Sequence, residues 1–179
     1  LSRLSAEEML AFLKDWADEY GTDGQRAYFK DEEYMLRVLN LCMGKKKKKR
    51  RKDFVTARQA MEFIRYFFEE ESRRDEYRVD AQTKNAILGR FGEKYSYADD
   101  AQMWFSKVKE VAASLGFAAA TKDYKANPEA YKGSVADVAE VLRIALTGRA
   151  NTPDLWTVMQ ILGEEVSRKR LQKATEERA

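Results

Sequence analysis

Few side chains in this sequence could carry out acid–base or metal chemistry. It contains no histidine and one cysteine, Cys42, so it lacks both the usual general base and the thiol pairs of a disulfide or a cysteine-based zinc site. Adjacent glutamates fall at predicted helix starts, where the helix dipole favours negative charge. These pairs are Glu7/Glu8, Glu32/Glu33 and Glu164/Glu165. Glycine patterns of nucleotide-binding loops are also absent, so the sequence predicts neither a catalytic residue nor a metal site.

A run of basic residues is better suited to binding. Lys45 to Lys52 reads KKKKKRRK, and the loss of these eight positive charges would change the formal net charge from +3 to −5. A cation that neutralises a phosphate releases counterions and adds affinity that carries little sequence information. The run therefore predicts a phosphate-contacting arm formed by Lys45, Lys46, Lys47, Lys48, Lys49 and Lys52. The alternative is a solvated, self-repelling loop.

A polar corner between two predicted helices is the second candidate for binding. Ser134 and Asp137 predict a capped helix start, and Gly148 predicts the end of that helix. Thr152 then stands where an N-cap oxygen is needed, and Pro153 stands at the first helical position. The unpaired backbone N–H groups at such a helix start favour anionic or carbonyl oxygens.

The residue order in this corner resembles that of a known family. VLRIALTGR-x-NTPDL-x-x-x-MQILG is similar to the last part of bacterial glutamyl-tRNA synthetases, where an LR-x-A-LTG-x-x-x-TP-x-L block closes the anticodon-binding region. WFSKVKEVAASLGFA, from Trp104 to Ala118, resembles another family segment, as do LSRLSAEEML and RKDFVTARQAMEFIRYFFEE. The resemblance covers nearly the whole chain.

The resemblance implies roles for particular residues. Arg143 and Thr152 match the positions that contact the first two anticodon bases. We expect Arg143 to lie near Thr152 at the corner, with its guanidinium facing solvent and free for a base, and Thr152 to present its hydroxyl at an exposed helix start. Arg51 is the nearest match to the arginine that reads the third base, with Arg50 next. Arg149, in the corner, joins the lysine run as a phosphate contact. Arginine suits base reading because its planar fork can hydrogen-bond base edges and stack on them.

Structural alternatives exist for both corner residues. Arg143 could pair with Glu140 or Asp137 on its own helix. Thr152 could serve only as a helix cap.

The elements that must position these residues are helical. Apolar spacing predicts an all-α, irregular bundle of roughly eight helices, and the resemblance implies the class I synthetase anticodon-binding type. Capping boxes predict helix starts at Ser5 and Thr56. Further predicted helices follow Asp31, cover 81–90 and 99–115, flank the corner, and begin again near Glu164. A charged segment from Glu70 to Arg78 predicts a boundary. It divides a helical stem-contact and anticodon-binding subdomain, 1–72, from a C-terminal anticodon-binding subdomain, 73–179.

The resemblance predicts a part of a larger enzyme. The HIGH-type and KMSKS-type motifs of the family's catalytic half are absent, so this chain is not expected to be an enzyme alone. ATP and Mg²⁺ would act in the missing half, and no cofactor is expected here. Since the chain starts at Leu1, we expect an excised or processed C-terminal region.

The expected partner is tRNA(Glu), and the third-base arginine leaves open whether tRNA(Gln) is also bound. No oligomer, metal or membrane partner is expected, because no apolar run approaches the ~20 residues of a membrane span. A cytoplasmic location is expected. The competing hypothesis is a helical protein-interaction module with an incidental basic loop.

Overall fold

The computed structural model describes residues 3–44, 55–71 and 74–177, which form ten α-helices. Apart from one isolated bridge between Ala118 and Ser134, these ranges contain no β-structure. The all-α prediction is confirmed. No helix in the described ranges is long and apolar enough to span a membrane. The chain divides into two compact units, Leu1–Glu71 and Ser72–Ala179.

The described residues of the first unit form four α-helices and a short 3-10 helix. They are α1 (Ala6–Tyr20), α2 (Asp23–Ala27), α3 (Glu32–Met43), α4 (Ala57–Ile64) and the 3-10 helix Arg65–Phe67. The predicted capping boxes at Ser5 and Thr56 are both present, and α1 packs against α3 and α4. The core includes the fully buried Leu13, Met35 and Ile64.

The described residues of the second unit form six α-helices and a short 3-10 helix, Pro128–Ala130. The α-helices are α5 (Ala81–Lys94), α6 (Ala101–Ser114), α7 (Thr121–Ala126), α8 (Val135–Thr147), α9 (Leu155–Leu162) and α10 (Glu164–Glu176). Helix α8 lies at the centre, because it packs against α5, α6 and α10. Its fully buried Val138 and Leu142 explain why its apolar spacing is so clear in the sequence.

The expected eight helices are all present, and α2 and α7 are additional. These two helices have five and six residues, too few for a 3.6-residue apolar period to stand out. Neither has a buried residue. The apolar periodicity of the sequence therefore could not predict these two helices.

A buried lysine joins the two ends of the second unit. Lys84 on α5 is 0% exposed, and its Nζ donates a hydrogen bond of 2.7 Å to the backbone oxygen of Glu177, just after α10. Its ammonium also lies 5.2 Å from the ring centroid of Tyr77. Burial lowers the pKa of Lys84 below its ordinary value. The spacing in the sequence is consistent with this burial, since Lys84 shares a helix face with the apolar residues Ile87, Leu88 and Phe91.

Candidate nucleic-acid interface

The polar corner joins the end of α8 to the start of α9. Gly148 ends α8 in the left-handed region with φ of 77°, and its N–H donates to Ile144 O at 2.7 Å. Glycine suits this position because it adopts positive φ without a steric penalty. The predicted capping box of Ser134 and Asp137 is present at the other end of α8.

Helix α9 begins later than the sequence predicted. Asp154, not Thr152, is the N-cap: its carboxylate accepts the N–H of Thr157 at 3.0 Å and the hydroxyl of Thr157 at 2.7 Å. Pro153 therefore precedes the helix, and the prediction that it occupies the first helical position is wrong. Aspartate caps helices as well as threonine does, and the Thr152 hydroxyl is engaged elsewhere.

Arg143 and Thr152 meet in this corner, as expected. The Nε–H of Arg143 donates to Thr152 Oγ1 at 2.9 Å, and the Thr152 hydroxyl donates to Pro153 O at 2.9 Å. Thr152 is only 6% exposed, so the expectation of an exposed threonine hydroxyl is wrong. Arg143 is half-buried and donates into the protein, which corrects the expectation of a solvent-facing, uncommitted guanidinium.

The two carboxylates considered as partners of Arg143 have other partners. Glu140 is bound by Arg78, whose Nε donates to Glu140 Oε1 at 2.7 Å. This hydrogen bond is the main cause that lowers the pKa of Glu140, and the positive charge of Arg143 has a smaller effect in the same direction. Asp137 accepts the backbone N–H of Ser134 at 2.8 Å in the capping box.

A buried threonine ties the end of α8 to Arg149. The Thr147 hydroxyl lies 2.7 Å from Arg143 O and 3.2 Å from Arg149 O, and it accepts the N–H of Arg149 at 3.1 Å. One hydroxyl thus connects the backbones of Arg143 and Arg149, two of the arginines predicted to contact RNA. Arg149 itself is half-buried. Thr147 was not among the residues that the sequence indicated.

Two arginines cap the C-terminal end of α8. Arg74 Nη1 donates to Ile144 O at 3.1 Å and to Ala145 O at 2.9 Å, while Arg170 Nη1 donates to Leu146 O at 2.8 Å. The last carbonyls of a helix lack intrahelical partners and carry partial negative charge, so arginine is favourable there. Both arginines are remote in sequence from the corner, and local pattern did not reveal them.

Helix α9 is also bonded to the segment that precedes α6. Trp156 Nε1 donates to Asp99 O at 3.0 Å. Tyr97 and Gln160 exchange two side-chain-to-backbone hydrogen bonds, each of 3.2 Å. Hydrogen bonds to other parts of the second unit therefore fix both α8 and α9, the helices that form the corner.

The remaining predicted contacts belong to the basic run. Lys45 to Lys49, Arg50, Arg51 and Lys52 fall outside the described residues, so their roles remain predictions from the sequence. Within the three described ranges, no group of three or more His, Cys, Asp or Glu side chains could hold a metal ion.

Known proteins are similar in sequence to this chain over nearly its whole length. Residues 6–175 match the family described as an anticodon binding domain. The chain belongs to this family. The domain is similar to the glutamate–tRNA ligase of Acetivibrio thermocellus, with 41% identity over 176 residues that cover 97% of this chain and 32% of the relative. A Clostridium perfringens (strain SM101) glutamate–tRNA ligase is 39% identical over 180 residues, with 97% and 32% coverage.

Solved structures show the same fold. The glutamate-tRNA synthetase of Elizabethkingia anophelis superposes with a TM-score of 0.56 at 17% identity, covering 99% of this chain and 30% of that one. A glutamate tRNA ligase from Elizabethkingia meningosepticum gives a TM-score of 0.59 at 16% identity. The anticodon-binding domain thus spans about a third of the length of these relatives.

Proposed function

We propose that this chain is the anticodon-binding part of a glutamate–tRNA ligase and that it holds the anticodon arm of tRNA(Glu). The observation that carries the proposal is the family match over residues 6–175, which includes the corner where Arg143 donates to Thr152. The glutamate–tRNA ligases to which the chain is similar supply the identity of the tRNA. Glutamate activation with ATP and Mg²⁺ would occur in another part of the ligase.

Arg143 is the proposed base-reading residue. Its Nε–H donates to Thr152 Oγ1, and this hydrogen bond fixes the orientation of the guanidinium plane. The Nη1 and Nη2 groups of the same plane are the donors that would meet an anticodon base edge. A guanidinium that is already oriented loses less conformational entropy when it binds a base.

Thr152 contributes through Arg143. A hydroxyl has one proton and two lone pairs, and the Thr152 proton goes to Pro153 O while one lone pair accepts from Arg143. A buried hydroxyl with these commitments orients its neighbour rather than donating to a base. This proposal replaces the expectation, from the family resemblance, that Thr152 itself contacts a base.

Phosphate contacts are assigned to the basic residues. Arg149 lies one residue beyond the C-cap of α8, in the same corner. The run Lys45 to Lys52 supplies eight charges in a chain whose formal net charge is +3. We assign these residues to the tRNA backbone, and we assign Arg51 or Arg50 to the third anticodon base, whose identity would decide whether tRNA(Gln) is also bound.

Binding to paired tRNA transcripts tests the proposed function. The chain is titrated, at near-physiological salt, with tRNA(Glu), with the same transcript carrying a changed anticodon, and with an unrelated tRNA. We expect the tightest binding to the unaltered tRNA(Glu). A protein-interaction module with an incidental basic loop predicts equal affinities for all three, and that result would reject the proposal.

A further inference from the structure

A short segment ahead of α5 contacts the anticodon-binding corner. The backbone N–H of Asp75 donates to Gly148 O at 2.8 Å, and Asp75 Oδ2 accepts the N–H of Ala150 at 2.8 Å. Both bonds go to backbone groups, one on each side of Arg149. A single residue, 75 positions away from Ala150, therefore fixes the path of the chain through Arg149.

The preceding residue holds this segment against α8. Arg74 donates to Ile144 O and Ala145 O, and its Nε lies 3.0 Å from Glu177 Oε2 after α10. Its side chain is mostly buried. Asp75 is thus presented to the corner by a residue that has its own attachments to two helices.

The corner needs such an external partner. The Gly148 carbonyl and the Ala150 N–H lie beyond the last turn of α8 and before Asp154, so neither belongs to the hydrogen-bond ladder of a helix. Asp75 offers one donor and one acceptor at the right separation for both. The required chemistry is a short acceptor side chain, so an amide oxygen should replace the carboxylate.

We propose that Asp75 is a positioning residue for anticodon recognition. It holds Gly148 to Ala150 so that Arg143, at the end of α8, and Thr152, before α9, keep the spacing of their hydrogen bond. It also sets the direction in which Arg149 leaves the corner. Asp75 acts through these residues and not by contact with RNA. This inference rests on the proposed function.

Three substitutions separate the positioning role from charge and from stability. Asp75→Ala removes the acceptor, Asp75→Asn keeps an acceptor but removes the charge, and Glu76→Ala removes a neighbouring charge. Glu76 is a matched control, since it is exposed and its side chain has no hydrogen bond or ion pair within the part of the chain that is described. Each variant is titrated with tRNA(Glu), with its anticodon-changed form and with an unrelated tRNA, at a temperature where its unfolding curve shows a folded protein.

We expect Asp75→Ala to lower the preference for the correct anticodon by about 2- to 10-fold, the range that corresponds to the removal of one hydrogen bond. Its affinity for the unrelated tRNA should not fall. Asp75→Asn should retain the preference, and Glu76→Ala should match the unchanged chain. Amide hydrogen exchange at Ala150 should accelerate in Asp75→Ala and stay slow in Asp75→Asn.

Two results would overturn the inference. One is an unchanged anticodon preference in Asp75→Ala when Arg143→Ala abolishes it. The other is an equal reduction in Asp75→Ala and Asp75→Asn. Failure of the proposed function is distinguishable, because the unchanged chain would then show no anticodon preference. If Asp75→Ala does not fold, Asp75→Asn decides alone: retained preference with slow exchange at Ala150 supports positioning by the acceptor, and an abolished preference rejects it.

Discussion

One hydrogen bond joins Arg143 to Thr152, with the Nε–H of Arg143 as its donor. The sequence predicted that these two residues share a site, because both belong to the LR-x-A-LTG-x-x-x-TP-x-L motif. It did not show that Thr152 is buried or that its hydroxyl donates to Pro153 O. Those facts follow from how α8 and α9 pack, and they change the role proposed for Thr152 from direct contact to orientation.

A double-mutant cycle tests this relation. Arg143→Ala should reduce discrimination between the correct and the changed anticodon by ~1–3 kcal/mol, the usual value of a bidentate base contact. Thr152→Val should lower the same preference by less, since the guanidinium remains but is no longer oriented. The double variant should lose no more than Arg143→Ala alone, because Thr152 acts through Arg143. The measurement is the ratio of the two dissociation constants for each variant.

Arg90→Ala is the matched control for charge loss. Arg90 is exposed on α5 and donates to Ser114 O, away from the corner. Its substitution should weaken tRNA binding no more than loss of one positive charge does and should leave the anticodon preference intact. If Arg143→Ala lowers only thermal stability and the preference survives, Arg143 is a structural residue and the site assignment is wrong.

Local sequence signals located most helices but not every helix boundary. Ser5, Thr56 and Ser134 cap their helices as predicted, because each has its N3 partner nearby in sequence. The start of α9 was predicted at Thr152, whereas the observed N-cap is Asp154. The Thr152 hydroxyl accepts a hydrogen bond from Arg143 instead of capping the helix. Rules for helix caps consider only neighbouring residues and do not include such a contact.

The same limit explains the interactions that the sequence did not indicate. Lys84 bonds to Glu177, 93 residues away, and Asp75 bonds to Ala150, 75 residues away. Such pairs depend on the packing of several helices, so spacing along the chain carries no information about them. The candidate base-contacting residues were predictable from a motif, whereas the residues that hold them were visible only in the folded unit.

Asp154→Ala tests the observed start of α9. The carboxylate satisfies the Thr157 N–H and the Thr157 hydroxyl, so its removal should lower the free energy of unfolding by about 0.5–2 kcal/mol. Asp154→Asn should recover most of this stability, because asparagine is an equally good cap. Unfolding by urea, followed by circular dichroism, measures both variants. An Asp154→Ala protein as stable as the unchanged chain would contradict the assignment of Asp154 as the cap.

Positive charge in this chain is concentrated in one segment. The formal net charge is +3, and Lys45 to Lys52 alone contributes eight positive charges. The rest of the chain is therefore acidic on balance, which disfavours indiscriminate contact with RNA over the whole surface. We expect affinity and anticodon preference to reside in different places: the basic run supplies the first and the α8–α9 corner the second.

Substitution of Lys45, Lys46, Lys47 and Lys48 by Gln tests this division. Binding to tRNA(Glu), to its anticodon-changed form and to an unrelated tRNA should weaken about equally, so that the preference ratio is conserved. The slope of log affinity against log salt should fall by roughly one unit for each phosphate that is no longer neutralised. Titrations over a series of salt concentrations measure both quantities.

A variant of equal charge completes the test. Substitution of Lys109, Lys122, Lys125 and Lys169 by Gln also changes the formal net charge from +3 to −1, but these four exposed lysines lie on α6, α7 and α10. If the basic run contacts phosphates directly, its variant should show a far larger fall in affinity and salt dependence than this control, because direct contacts release counterions and remote charges only alter the long-range field. Equal reductions in the two variants would show that net charge is responsible, and an unchanged affinity and slope in the first would show that the run does not contact tRNA.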